Sequence, residues 1–306
     1  MSKIFSLDSS EMRLLLTAMI AACMQTHAMA QTAEQTITAL TAGKDATVGV
    51  AWTTGGHSHT AGTAGQYPLM SVFKTHCAIA ALRRMQREGI PTDTLIKIRA
   101  AEMTPGTYSP LAKLHKGEDF TMRFDSLLYY SIALSDNNAC DATIRMAGGI
   151  RAVSDEMKSI GLTDFSLTET EATMAADPQR SYNNSSTPLS VAILFRKLYE
   201  ENILEGKYAR LMKATLEATQ TGADKMKAAL RPGMTLAHKT GTGFTRQDGT
   251  MTADNDAGAL TLADGRRIYI AVLIKDTRLG TKENARLIKE ITEAIIRQET
   301  KTGQSR

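Results

Sequence analysis

No apolar run in this chain is long enough to make a convincing membrane span; the one candidate, MRLLLTAMIAACMQTHAMAQ near the N-terminus, is too short. A strong charge excess is missing too. The formal net charge is +4, and the basic residues are scattered without interleaved aromatics, so the chain shows no footprint for nucleic acid. Cysteine is scarce, with three residues, and nothing resembles a Cys-based metal site. His57 and His59, in GGHSHTAG, lack the aspartate and further histidine that accompany HxH in metallo-hydrolases, and read as loop residues. There is no internal repeat, although TAEQTITALTAGKDA is Thr/Ala-rich enough for a loosely ordered lead-in.

What is present is an ordinary globular composition: 306 residues, 42% hydrophobic and 22% charged, enough for one large domain or two interlocked ones, with no disorder expected. Residues 1–30 carry a basic residue, a short apolar run and an A-x-A ending at Ala30, the pattern of a secretory signal peptide, and Met12 is a plausible alternative start. An exported, periplasmic protein cleaved after Ala30 is expected. The competing reading is a lipid anchor on Cys23, in IAAC. Cleavage would leave Cys77 and Cys140 in an oxidation-permissive compartment. Each sits among apolar neighbours in a predicted helix, so two buried free thiols are at least as well supported as a disulfide.

ATVGVAWTT alternates enough for a strand, followed by a Gly-rich turn and a second short strand before Pro68. From Ser71 to Glu88 nearly every uncharged position is apolar, and Gly89 with Pro91 supplies the stop, which predicts a core helix. Thr121 is expected to cap a helix carrying Phe124, Leu127, Leu128 and Ile132; the polar break SDNN separates it from another ending at Gly148. Residues 163–186, TDFSLTETEATMAADPQRSYNNSS, have little periodicity and are long for a connection, the mark of a functional loop. Thr187 with Pro188 opens the next helix. MTLAHKTGT, GALTLA and RIYIAVLIK read as strands, with Asp264 and Gly265 turning the last two into a hairpin. The closing helix presents Leu287, Ile288, Ile291 and Ile295 on one face.

Strands at both ends with helices between them imply an α/β domain from residues 31–68 and 217–306, built on one mixed sheet flanked by helices, with an all-α domain, 69–216, inserted into it. The cleft between the two is the default site.

Three short signals bear on that cleft. In SVFK, Ser71 and Lys74 are three residues apart and share a helix face, so a hydroxyl and an amine stand side by side. SDN at Ser135 to Asn137 and HKTGT at His238 to Thr242 complete the set. Each alone has a bland reading: a snorkelling lysine, a helix-capping break, a strand end with an exposed lysine. Their order, with the long acidic loop between the second and third, resembles the class A serine β-lactamases. The likeness runs from about Ala46 to the final helix, and TYSPL, NNACDATIRMAGG and TADNDAG add finer matches.

That resemblance implies the β-lactamase/penicillin-binding transpeptidase-like fold and a site in which Ser71 is the nucleophile. Lys74 and Ser135 carry protons. The backbone N–H groups of Ser71 and Thr242 hold the oxyanion, and Lys239, Thr240 and Thr242, within the motif that includes Gly241, hold the substrate carboxylate. Asn137 meets the substrate's side-chain amide and Tyr108 sits at the cleft rim. Lys74 can act as a base only with a lowered pKa, which burial and Lys239 would favour. Two carboxylates, Glu169 and Glu171, are available to activate the deacylating water, and the family register of EATMAAD favours Glu171.

Several positions depart from the common pattern and look like the divergent Bacteroides-type cephalosporinase branch. Ala175 stands where many members have an asparagine, Glu169 and Asn184 where an arginine and an aspartate often clamp the loop, and no basic residue lies near Asn255 and Asp256, which leaves Lys225 as the substitute. A β-lactam is the expected substrate, of a monomeric enzyme with no metal or organic cofactor. A D-alanyl-D-alanine carboxypeptidase and a non-turnover penicillin-binding sensor are the alternatives, since both share the acylating residues.

Overall fold

The computed structural model describes residues 31–304; the signal peptide expected over 1–30 and Cys23 lie outside them. The first helix, α1 (Ala33–Thr41), replaces the expected loose lead-in: its Ala33 and Ile37 are buried with Ile288 and Ile291 of the last helix, α10 (Thr281–Gln304). Burying those two side chains is what orders the segment.

A five-stranded sheet follows, in the order β2 (His57–Gly62), β1 (Thr47–Thr54), β10 (Arg267–Thr277), β9 (Met251–Thr261), β8 (Thr235–Thr242). It draws on both ends of the chain, as expected, and all its pairings are antiparallel, where the sequence reading has the sheet mixed: successive strands β1–β2, β8–β9 and β9–β10 are joined as hairpins, which run antiparallel. His57 and His59 lie on β2, not in a loop. His59 stacks on Trp52 at 4.8 Å and pairs with Glu34 at 2.8 Å, so a strand-to-helix contact accounts for it. β9 is longer than GALTLA and takes in TADNDAG.

The sheet is buried on both faces because its central strand alternates apolar residues to each. Ile268, Ile270, Val272 and Ile274 pack with α1 and α10; Tyr269, Ala271 and Leu273 pack with the helices of the middle segment. Those helices are α2 (Phe73–Glu88), α3 (Pro110–His115), α4 (Phe124–Ile132), α5 (Asn137–Ala147), α6 (Ile150–Ser159), α7 (Glu171–Ala176), α8 (Pro188–Glu200) and α9 (Gly206–Glu217). α2 is buried at every residue from Phe73 to Leu82 and ends at Gly89, whose φ of 68° gives the left-handed stop.

The middle segment is not wholly helical. Thr121 belongs to β5 (Phe120–Arg123), which pairs with β4 (Leu95–Ile98), so it does not cap α4; that helix starts after Arg123. The 163–186 loop is also structured, with β6 (Phe165–Ser166), α7, a 3-10 turn and β7 (Ser185–Ser186), and β7 pairs with both β6 and β3 (Tyr67–Pro68). Polar side chains substitute for apolar periodicity as its organising force. Cys77 on α2 and Cys140 on α5 are free and buried, and burial, followed by the proximity of Cys77, pushes the Cys140 thiol up.

Candidate active site

Ser71 lies in the 3-10 turn Met70–Val72 that leads into α2, immediately after Met70, a non-glycine residue at φ 46°. Such a conformation costs about 1–3 kcal/mol and persists only where its surroundings over-determine it. Here Asn255 of β9 does so: its Nδ2 donates to the carbonyls of Pro68 (2.9 Å) and Leu69 (3.1 Å), and its Oδ1 accepts from Ile274 N–H (3.1 Å). β8 closes the other side. A Cβ on Gly241 would stand 2.6 Å from Leu69 O and 3.1 Å from Ser71 N, so only glycine lets the strand lie this close to the turn.

Lys74 is fully buried one helical turn from Ser71. Its Nζ donates to Ser135 O and to Asn137 Oδ1, both at 2.6 Å, and stands 3.1 Å from Glu171 Oε1 in an ion pair. Its aligned hydrogen bonds go to the first two, and Glu171 Oε1 accepts none among the described residues. Ser135 is the second strained residue, at φ 61°; its Oγ accepts from Lys239 Nζ at 2.9 Å. Burial first, then the charge of Lys74, holds Lys239 well below the usual lysine range, against the opposing pull of Asp256 and Glu171.

Asp136, read from the sequence only as part of SDN, organises this corner. Its buried carboxylate accepts from Ser109 Oγ (2.9 Å), Leu111 N–H (2.7 Å) and Ala139 N–H (2.9 Å), fixing the start of α3 to the start of α5. That places Tyr108, 56% exposed, at the rim, with its carbonyl accepting from Asn137 N–H at 3.0 Å. Asn137 Nδ2 donates to Thr107 Oγ1 at 2.7 Å.

The two candidate glutamates face different ways. Glu171 opens α7 and lines the cleft, and its backbone N–H and that of Ala172 donate to Asp141 Oδ1 and Oδ2, each at 2.8 Å. Burial pushes the Asp141 carboxyl up to about 6. Glu169 turns the other way, to Arg180 (3.2 Å) and Asn183 Nδ2 (2.9 Å). Asn184 accepts from the N–H groups of Thr168 and Glu169, donates to Glu169 O, and through its own carbonyl receives Leu69 N–H. The residues that break the common loop clamp therefore build another. Neither Asp141 nor Asn184 was assigned this work from the sequence; the available signal for Asp141 was its place one turn after SDN, on the face of α5 that meets α7.

The remaining residues complete a cleft of about 510 Å³ lined by Ser71, Tyr108, Ser135, Asn137, Glu171 and Lys225, among others. Met174 and Ala175 give it an apolar side, and Thr240 and Thr242 line the wall made by β8. Thr240 Oγ1 is 2.6 Å from Thr221 Oγ1. Lys225 is ion-paired with Asp254, at 8% and 1% side-chain exposure. Of the residues expected at the site, Gly241 alone acts by the absence of a side chain, and the other ten converge here.

A serine hydroxyl in the cleft one turn before a buried lysine, a carboxylate in ion-pair contact with that lysine, and a second buried lysine on the hydroxyl of Ser135 are the parts of an acyl-transfer site. Residues 32–298 match the β-lactamase enzyme family. A β-lactamase of Bacteroides uniformis is 39% identical over 86% of this chain and 89% of its own length. The extended-spectrum β-lactamase PER-1 of Pseudomonas aeruginosa is 30% identical over 90% of each. The crystal structure of a class A β-lactamase from Bacteroides cellulosilyticus superposes with a TM-score of 0.84, at 33% identity over 89% of this chain and 99% of that one. Fold and site together define a class A serine β-lactamase. The chain belongs to the β-lactamase enzyme family.

Proposed function

We propose that this enzyme opens the β-lactam amide through an acyl ester on Ser71, and that it does so as an exported, periplasmic monomer. The observation that carries the reading is the 3.1 Å approach of Glu171 Oε1 to Lys74 Nζ. A proton moved across that pair leaves a neutral amine one turn along the chain from Ser71, ready to take the hydroxyl proton as Oγ attacks the lactam carbonyl. The N–H groups of Ser71 and Thr242 receive the oxyanion. Lys239 donates to Ser135 Oγ, which leaves the Ser135 proton free to pass to the departing lactam nitrogen.

Deacylation reverses the roles. Once Lys74 has passed a proton to Ser135 and taken back the one held by Glu171, Glu171 is again a carboxylate; it takes a proton from water, the hydroxide attacks the ester carbonyl, and Ser71 leaves with a proton returned through Lys74. Lys225, Lys239, Thr240 and Thr242 face the substrate carboxylate, Asn137 the side-chain amide, and Tyr108 flanks the entrance.

Steady-state hydrolysis of a small panel of penicillins, cephalosporins and carbapenems, with intact-protein mass spectrometry, tests this. Catalytic turnover with a transient adduct on Ser71 is expected. Cleavage of peptidoglycan peptides with poor β-lactam turnover marks a carboxypeptidase, and a long-lived stoichiometric adduct marks a sensor. A mature N-terminus at Gln31 in the periplasmic fraction checks the export reading.

A further inference from the structure

Behind the wall that meets the substrate carboxylate stands another carboxylate. Asp254 on β9 is the cross-strand partner of Thr242 on β8, so the two side chains project from the same face of the sheet. Thr242 Oγ1 donates to Asp254 Oδ1 at 3.2 Å, and Lys225 Nζ makes its short ion pair to that same oxygen. Lys225 Nζ also reaches Asn255 O at 3.3 Å and Thr242 Oγ1 at 3.5 Å. Lys225 and Thr242 line the cleft, whereas Asp254 is 1% exposed and lies behind them. One buried acid therefore holds both the ammonium and the hydroxyl proton that a substrate carboxylate would use.

We propose that Asp254 sets how strongly this site prefers an anionic substrate, acting through Lys225. This rests on the reading of Lys225 as a carboxylate partner. An incoming carboxylate meets an already neutralised pair and a hydroxyl whose proton points inward, so it gains hydrogen bonds but little net charge attraction from this corner. Two carboxylates sharing one ammonium also repel each other, and the interaction is strong where water is excluded. Lys239 remains the one cation on β8 that faces the group without a contacting carboxylate of its own among the described residues, since Asp256 on the same strand as Asp254 is paired with His238 at 2.8 Å. Asp254 is thus a positioning and charge-setting residue whose removal shifts specificity toward acids.

The test compares a cephalosporin bearing its free C4 carboxylate with its C4 methyl ester, which is neutral and otherwise the same ring system. The ratio of their kcat/KM values is measured in the parent, Asp254→Asn, Lys225→Ala and the double variant. In Asp254→Asn the acid-to-ester ratio is expected to rise by about tenfold, carried by a lower KM for the acid while the ester is little changed. Adding Lys225→Ala is expected to return the ratio to the parental value or below.

A ratio unchanged or lowered in Asp254→Asn overturns the proposal and makes Asp254 a support that merely holds Lys225 in place. A raised ratio that survives Lys225→Ala overturns the route through Lys225 and with it the assignment of that lysine, while the reaction at Ser71 stands. Should Asp254→Asn fail to fold, Asp254→Ser removes the same charge and is read the same way: an acid-to-ester ratio raised by about tenfold supports the proposal, and an unchanged or lowered ratio overturns it.

Discussion

The carboxylate of Asp141 spans the start of α7, taking the backbone N–H of Glu171 on one oxygen and that of Ala172 on the other, both at 2.8 Å. The general base candidate is thus placed by a second acid, one that burial holds up at about 6 against an ordinary 3.8.

The first prediction concerns that acid. The native state binds its proton more tightly than the unfolded chain does, so the contribution of Asp141 to stability is fully present below the ordinary carboxylate range and is lost as pH rises through about 6. Asp141→Asn removes that slope. The difference in Tm between variant and parent should move in the variant's favour from pH 5 to pH 8, as thermal melts at several pH values will show. An amide can accept only one of the two N–H groups, so deacylation should slow at every pH.

Glu171→Gln should still acylate and then hold its adduct, giving a burst followed by little turnover in stopped-flow and mass measurements. Glu169→Gln is the control. Its carboxylate is held by Arg180 and Asn183, so turnover should stay within about threefold of the parent, while stability falls by about 1 kcal/mol for a pair whose arginine is half exposed. Adduct accumulation in Glu169→Gln instead would reverse the assignment.

Ser71→Ala should abolish labelling by a fluorescent penicillin and leave Tm nearly unchanged, because the deleted hydroxyl makes no hydrogen bond among the described residues and opens on the cleft. Labelling that persists at another residue would remove Ser71 as nucleophile.

Gly241→Ala should reduce kcat/KM by roughly a hundredfold, since a displacement near 1 Å in a reacting group costs about that much. The added Cβ meets Leu69 O at 2.6 Å, so β8 and the Ser71 turn must separate. Near-parental kinetics would show that the turn tolerates the shift.

Much of this was legible in the chain because short motifs carry their own geometry. SVFK set Ser71 and Lys74 one turn apart, although Ser71 falls in the 3-10 turn before α2 and not in the expected helix; Thr187 and Pro188 opened α8 with Thr187 Oγ1 accepting from Ser190 N–H at 3.2 Å, and Asp264 with Gly265 turned the last hairpin. Thr121 misled because a polar residue before an apolar run fits a strand as well as a cap; pairing with Lys97 decided it, and that partner lies 24 residues upstream. The supports of the site were hidden for a related reason. Asn184, Asn255 and Asp141 act through backbone groups remote in sequence, and Asp136 adds to its local cap on Ala139 N–H the distant Leu111 N–H, which no local pattern announces.

The sheet has one more implication, for the order in which the protein comes into being. β1 finds its partner only in residues 267–277, and the turn carrying Ser71 is held by Asn255. Until residues 267–277 have joined the sheet, the hairpin of β1 and β2 has no central strand to pair with, and until Asn255 is in place the Ser71 turn lacks its holder. Contacts so distant in sequence close late and slowly. The Ser71 turn is therefore among the last parts of the molecule to acquire its geometry, because its holder comes from the far end of the chain.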